Sequence, residues 1–426
     1  MSTSHDRDFQ FHLFTRRNVV LFLSSFTLIA GMASASRATF GFGIFLLTLI
    51  IFEWLEGRRL PAHLYLQRLH YPRAFEGDVV TVDLKVENRS PRDAHLVEVI
   101  DAFSPSGNYH IAQVAPDLPA GEGVLFRYRQ TCKHHRGIYL IGPMRLRTHS
   151  PVGLFTFNQT REIVTTLHIH PQAVGIMGFE ILGRGTLLEI GEAVVRRIGR
   201  GEQFAQLRDY RAGDPPRYIH WPSTARRGYP LVKEFEQNVV SEITIYCDLH
   251  LLSLAGLGNN TSLEMRIKAA ASIAAEAIPH QHLVRVVAVK DPMDMTTLAA
   301  GREHLTAILD WLALLKAEGV GSFEAPIMKE AELLRPGSTA VLVLSSINMK
   351  TEATAKLVQL LVLRRVKAIC VLVDDRSFLK LRTEQDQAFA DAPPLDQQVG
   401  MLKEAGADLF TVLNQQHLAT QLRLPS

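Results

Sequence analysis

SEITIYCDL, residues 241–249, is a short run of β-branched and apolar residues that closes on Asp248-Leu249. It reads as a strand buried on both faces. The residues after it alternate in the same manner. SLEMRIKAAASIAAEAI (262–278) has the Ala-rich texture of a helix and HLVRVVAV (282–289) is again a strand. REHLTAILDWLALLKAE (302–318) and EATAKLVQLLVLRR (352–365) read as helices, STAVLVLSS (338–346) and KAICVLVDD (367–375) as strands, and 398–414 as helix then strand. Near-continuous apolar strands separated by helical patterns imply a parallel sheet covered on both faces, a doubly wound α/β domain over 241–426.

Toward the N-terminus the pattern changes. From 57 to 171 the chain is short strands with Gly and Pro punctuation: Val79–Asn88, His95–Asp101, Gly123–Cys132, Arg136–His149 and Ser150–Phe157. Period-two alternation at this spacing predicts a β-sandwich of immunoglobulin-like type. Before it lie two uncharged apolar runs, Asn18–Ser36 and Ala38–Phe52, separated by Arg37. A spanning helix needs about 20 mostly apolar residues, which the first run supplies and the second reaches only by including Glu53, Trp54 and Leu55, with the acid at the interface. The expectation is a two-helix transmembrane hairpin over 18–56 with a cytoplasmic tail at 1–17. Arg7, Arg16, Arg17, Arg58, Arg59 and Arg68 flank the runs, so the positive-inside bias places both ends in the cytoplasm and the anchor in the inner membrane. AGMASASRA (30–38) also resembles a signal-peptide cleavage region, a reading that leaves the second run unexplained.

Composition narrows the function classes. The chain of 426 residues carries a formal charge of +3, too slight a field to imply nucleic-acid binding. Cys132, Cys247 and Cys370 are odd in number and widely spaced, which fits a reducing compartment better than a disulfide framework. His134 and His135 near Cys132 lack a second ligand cluster at zinc spacing.

The densest chemistry lies in LRDYRAGDPPRYIHWPSTARRGYPLVKEFE, residues 207–236 of the segment 172–240. Three readings stand. Gly213-Asp214-Pro215-Pro216 is strong turn chemistry, and arginine forks pair readily with nearby acids, which makes a structural network. Arginines beside Tyr210, Tyr218, Trp221 and Phe235 suit an anionic ligand surface. Asp214 with His220, and Ser223 as nucleophile, is a candidate hydrolase site. No nucleophile elbow, P-loop, HExxH motif or dinucleotide turn accompanies it.

The pattern formed by Arg208, Tyr210, Gly213, Asp214, Arg217, Ile219, Trp221, Thr224, Ala225, Arg226 and then Val232, Lys233, Glu234, Phe235 and Glu236 resembles the signature of an uncharacterised bacterial and archaeal family whose members are commonly encoded beside MoxR-type AAA+ ATPases. RGIYLIGP (136–143) and SPVGLF (150–155) also look like family segments, with Ser150-Pro151 where many members have Asp-Pro. The resemblance implies a two-helix anchor, a β-sandwich, the signature, and a C-terminal domain similar to von Willebrand factor type A. It further implies association with a MoxR-type AAA+ ATPase and a role in assembling or maturing other proteins. Domains of that type often hold a divalent cation through D-x-S-x-S after the first strand. Here the stretch is Asp248-Leu249-His250-Leu251-Leu252, with both serines replaced. Leu344-Ser345-Ser346-Ile347-Asn348 stands where an aspartate is usual. A degenerate site at Asp248 and His250 without metal is the expectation, with Ser253 a shifted candidate ligand. No cofactor and no catalytic residue is expected. The function expected is a membrane-anchored, non-enzymatic interaction protein; a hydrolase or an envelope-binding sensor is the alternative.

Overall fold

The computed structural model describes residues 15–107, 109–176, 204–211, 214, 216–235, 241–258, 260–347, 349–378, 393–414 and 418. The chain divides into two compact units, residues 1–169 and 170–426.

The first unit opens with two packed antiparallel helices, α1 (Arg16–Ala33) and α2 (Arg37–His63). Thr15 and Ser36 cap them, each accepting a hydrogen bond from a first-turn N–H. The expectation about their lengths reverses. α2 is long and apolar enough to cross a membrane: 27 residues at about 1.5 Å rise give roughly 40 Å. α1 has 18 residues and includes Arg16 and Arg17, so among the described residues α2 alone meets that standard. A close approach couples the pair. Ser24 Oγ donates to Gly43 O at 3.1 Å, and a Cβ on Gly43 would lie 2.7 Å from the Leu28 side chain. Phe22, Phe26, Ile29, Phe45 and Phe52 point outward.

α2 continues past the apolar run because its lower half docks on protein. Glu53 is fully buried, and its carboxylate accepts from Val152 N at 3.0 Å, so it does not sit at a water interface as the sequence suggested. Gly57 lets Phe157 and Ser150 approach; a Cβ there would meet Phe157 Cε2 at 2.4 Å.

Nine strands follow: β1 (Leu64–His70), β2 (Arg73–Phe75), β3 (Val79–Asn88), β4 (Ala94–Phe103), β5 (Tyr109–Leu118), β6 (Gly123–Thr131), β7 (Gly137–His149), β8 (Thr156–Arg161) and β9 (Thr165–His170). They form two antiparallel sheets, β1-β3-β6 and β2-β9-β7-β4-β5, with β8 also on β7. The alternation seen in Val79–Asn88 puts Val80, Val82, Leu84 and Val86 inward, where they share one core with Val97, Val99, Leu146 and Leu167 of the other sheet. Arg68 corrects the reading of the basic flank. It is buried in this core against Asp101, so it is not a charge at the membrane edge.

The second unit contains a hairpin of β10 (Phe204–Asp209), α3 (Trp221–Arg227) and β11 (Leu231–Phe235), then β12 (Glu242–Asp248), a small hairpin β13 (Gly256–Leu257) and β14 (Asn260–Thr261), and α4 (Ser262–Ala277). It continues as β15 (Leu283–Val289), β16 (Asp294–Met295), α5 (Arg302–Leu314), α6 (Glu324–Glu330), β17 (Thr339–Ser345), α7 (Thr351–Leu363), β18 (Lys367–Val373), α8 (Leu395–Glu404) and β19 (Asp408–Val412). The sheet runs β16-β15-β12-β17-β18-β19, parallel except for β16 at one edge. Ile243, Ile245 and Cys247 of β12 face α4 and α5, while Tyr246 faces the side covered by α6, α7 and α8. In the α/β head the sequence reading overlooked β13, β14, β16 and α6. Two to seven residues long, they are too short to carry a period. α5 also stops four residues earlier than its apolar pattern.

Candidate functional site

The order of the parallel strands reverses between β12 and β17, which makes the carboxyl ends of these strands the usual ligand edge of an open α/β sheet. A buried polar cluster occupies it. Asp248 ends β12, and both oxygens of its carboxylate are hydrogen-bonded: Oδ1 accepts from His250 N at 2.9 Å, and Oδ2 from Ser253 Oγ and Arg266 Nη1, both at 3.2 Å. Arg266 rises from α4 with no side-chain exposure and also donates through Nη2 to Ser253 O at 2.9 Å. Ser262 Oγ donates to the same carbonyl at 2.8 Å and accepts from Ala255 N at 3.1 Å, so the loop after β12 is folded over the guanidinium.

Asp375, just past β18, is fully buried beside them. Ser345 and Ser346 at the end of β17 donate to its Oδ2, as does Ile347 N at 3.3 Å. Burial pushes its carboxyl above the ordinary range and the Asp248 charge adds to that, while the Arg266 charge and hydroxyl donors from Ser345 and Ser262 oppose it. The sequence reading missed Arg266 and Asp375. The signal for Arg266 was available: it lies three residues after Leu263 and four before Ala270, a charge on the apolar stripe of α4. Asp375 carried no such signal, because an aspartate after a strand is ordinary turn chemistry.

The signature segment is a separate two-stranded antiparallel ribbon carrying a helical turn. Arg208 pairs with Val232 and Gln206 with Glu234, while Ile219 bridges to Val232. Asp214 Oδ2 accepts from Arg211 N at 2.8 Å, and Asp214 N donates back to Arg211 O, closing the turn. His220 N donates to Leu231 O, and Thr224 Oγ1 accepts from Leu231 N at 3.0 Å, which ties α3 to β11. Gly228 ends α3 at φ +80°, the left-handed position that favours glycine. Leu231 and Val232 are buried, and Lys233 is half-buried. Trp221 is 65% exposed, and Arg211, Arg217, Arg226, Arg227 and Tyr229 are exposed with it; Arg217 stacks over Tyr218. Gly213 and Glu236 lie outside the described residues.

The structure does not join the two residues of the hydrolase reading. No described contact links Asp214 to His220. His220 Nδ1 instead lies 2.8 Å from Ser223 Oγ, a contact between the residue capping α3 and the third residue inside it. That spacing follows from helix geometry alone.

A cleft of about 730 Å³ opens between β15, β16 and α6. Met293, Met295 and Leu333 line it beside Lys290, Lys329 and the Arg285–Glu330 ion pair at 2.6 Å.

Comparison with known proteins places limits on what these features share with others. No curated protein matches the chain. Solved structures that are similar include the C-terminal domain of Wzt (11% identity over 26% of this chain and 75% of that one, TM-score 0.20). The putative ApaA protein from Bordetella pertussis matches at 11% identity over 25% of this chain and 91% of that one, TM-score 0.19. The PKD domain of an M14-like peptidase from Thermoplasmatales archaeon SCGC AB-540-F20 matches at 10% identity over 24% and 91%, TM-score 0.17. Scores this low bear on neither fold nor function. Residues 206–379, which include most of the signature hairpin and the sheet through β18, match the uncharacterised family described as "Protein of unknown function DUF58".

Proposed function

We propose that this chain is a membrane-anchored, non-enzymatic interaction protein that docks a MoxR-type AAA+ ATPase at the inner face of the cytoplasmic membrane and serves the assembly or maturation of other proteins. One observation carries the reading. The signature ribbon spends its buried residues and hydrogen bonds on rigidity and turns Trp221, Arg217, Arg226 and Arg227 outward. An exposed Trp among arginines on a rigid support is the composition of an interface hot spot. Its basic face suits an acidic partner surface.

Further features support the placement. α1 and α2 present apolar side chains outward, which suits a lipid surround and a two-span hairpin. Arg16, Arg17, Arg58 and Arg59 are exposed at its open end and Arg37 at its turn, so the positive-inside bias survives the loss of Arg68. In the α/β head, the edge position of antiparallel β16 and the strand order support a von Willebrand type A-like domain. The shared core of the two antiparallel sheets supports an immunoglobulin-like sandwich.

The test is co-purification of tagged full-length chain from membranes in mild detergent. An AAA+ ATPase is retained by the wild type, and Trp221→Ala with Arg226→Ala weakens retention at least about 30-fold, the loss of one hot spot. Failure of the wild type to retain any AAA+ ATPase removes the proposal. A hydrolase is the second reading, and the contact between His220 and Ser223 that it would use is also the one helix geometry places at that spacing. His220→Gln abolishes function under that reading, and an unaltered phenotype eliminates it. An envelope-binding sensor requires the opposite topology, which a protease-protection map decides.

A further inference from the structure

The ligand edge of the α/β head carries its own cation. We infer that the Arg266 guanidinium is a resident counter-ion that takes the place of a divalent metal at the ends of β12 and β18, so that this edge is charged and closed without any metal.

A Mg²⁺ or Ca²⁺ ion needs six or more oxygen ligands that converge with free lone pairs at about 2.0–2.6 Å. Both Asp248 oxygens are already occupied, by a backbone N–H on one side and by a hydroxyl and the guanidinium on the other. Ser253, the one hydroxyl that follows Asp248 closely enough to act as a shifted ligand, spends its proton on Asp248 and its carbonyl on Arg266 and Ser262. The loop is therefore organised around a planar donor fork and not around a spherical ion. At 250 and 252 the side chains are His and Leu, neither suited to a hard cation.

Charge leads to the same conclusion. Asp248 and Asp375 come from neighbouring parts of the edge and repel each other, and the Arg266 charge acts on both in the opposite sense. Its side chain has no exposure, so no water shell competes for that role. The guanidinium is delivered by α4, a helix whose inner face is otherwise Leu263, Ile267, Ala270 and Ala274. A charge is costly on such a face unless it is paired. The pairing thus explains why an arginine stands on that stripe.

Replacing Arg266 should convert a metal-independent edge into a metal-responsive one. The measurement is the thermal unfolding midpoint of the full chain in detergent, in EDTA and in excess MgCl₂, CaCl₂ or MnCl₂. Wild type gives the same midpoint in every salt. Arg266→Ser melts lower in EDTA and recovers by at least about 3 °C with a divalent ion, which now finds free carboxylate and hydroxyl oxygens. Arg266→Lys keeps a charge and is insensitive to the ions. Where Arg266→Ser does not fold, the wild type and Arg266→Lys decide, together with calorimetric titration of the wild type with MnCl₂, which should show no binding heat. A wild-type midpoint that climbs with a divalent ion, a calorimetric isotherm for Mn²⁺, or an Arg266→Ser midpoint equal to that of the wild type in EDTA overturns the inference.

Discussion

Arg68 and Arg266 are both buried against an aspartate, one in each unit, and they are satisfied to different degrees. Arg68 lies on β1 of one sheet and reaches Asp101 on β4 of the other through Nε at 3.0 Å and through Nη2. Its remaining nitrogen donates to Ile141 O at 2.7 Å, Ile163 O and Thr165 Oγ1, and Tyr128 Oη donates to Asp101 at 2.8 Å. Nε, Nη1 and Nη2 all donate, and the side chain ties the two sheets together. Arg266 makes one carboxylate contact and one carbonyl contact, and among the described residues its Nε meets no acceptor. Asp375 Oδ1 nearby likewise has no partner among the described residues. A buried network that is complete specifies packing, whereas an incomplete one marks a place where the fold keeps polar groups for another reason. The first belongs to a core and the second to a ligand edge.

The contrast can be broken most forcefully in the β domain. Asp101→Ala leaves a buried guanidinium unpaired and should cost about 3–5 kcal/mol, read as faster amide exchange across β4 and β7 in the full chain. A loss under about 1 kcal/mol would mean that Arg68 escapes to solvent and is not the stitch described here. Paired replacement sharpens the comparison. Arg68→Met with Asp101→Leu still orphans the Tyr128 hydroxyl and two carbonyls, at about 1–3 kcal/mol for each buried group left unpaired. Arg266→Met with Asp248→Leu orphans fewer groups, so its urea midpoint should fall less. Equal losses would erase the distinction.

A third prediction concerns pH. Because burial pushes the Asp375 carboxyl above its ordinary 3.8, the folded chain holds that proton longer than the unfolded one. Stability from this group is then fully present below the unfolded value and declines as pH rises through the folded value. Asp375→Asn removes the decline. Urea midpoints of the two proteins should shift in favour of the variant as pH climbs from about 4 toward neutrality; a constant gap would contradict the assignment. The smallest effect belongs to the exposed pair Arg127–Asp83, whose contacts at 2.7 and 2.9 Å look as good as those of Arg68. There the arginine holds the Asp83 carboxyl below its usual range, so the pair contributes above that range and loses its contribution as pH falls. Solvent screens it, and Arg127→Ala should leave the melting midpoint unchanged within error.

Much of the architecture is legible in local pattern. Val79–Asn88 alternates because one face meets a core, and Ala340–Leu344 is apolar throughout because both faces do. The apolar runs before residue 53 likewise announce the two helices found there. The turn in the signature could be read from Asp214 and its prolines, since such residues bond to their own neighbourhood. These features are local, and neighbours along the chain are enough to set them.

Encounters between distant residues come from packing alone. Glu53 looked like an interfacial acid and is instead held by Val152, 99 residues away. Arg68 looked like a membrane-flanking charge and is the partner of Asp101. Asp214 and His220, near each other in sequence, take separate partners. Asp248, Arg266 and Asp375 meet because parallel strands bring their carboxyl ends to one edge, an arrangement set by strand order and not by spacing. Periodicity reports which side of an element is buried. The identity of the group waiting there follows only from how the elements pack.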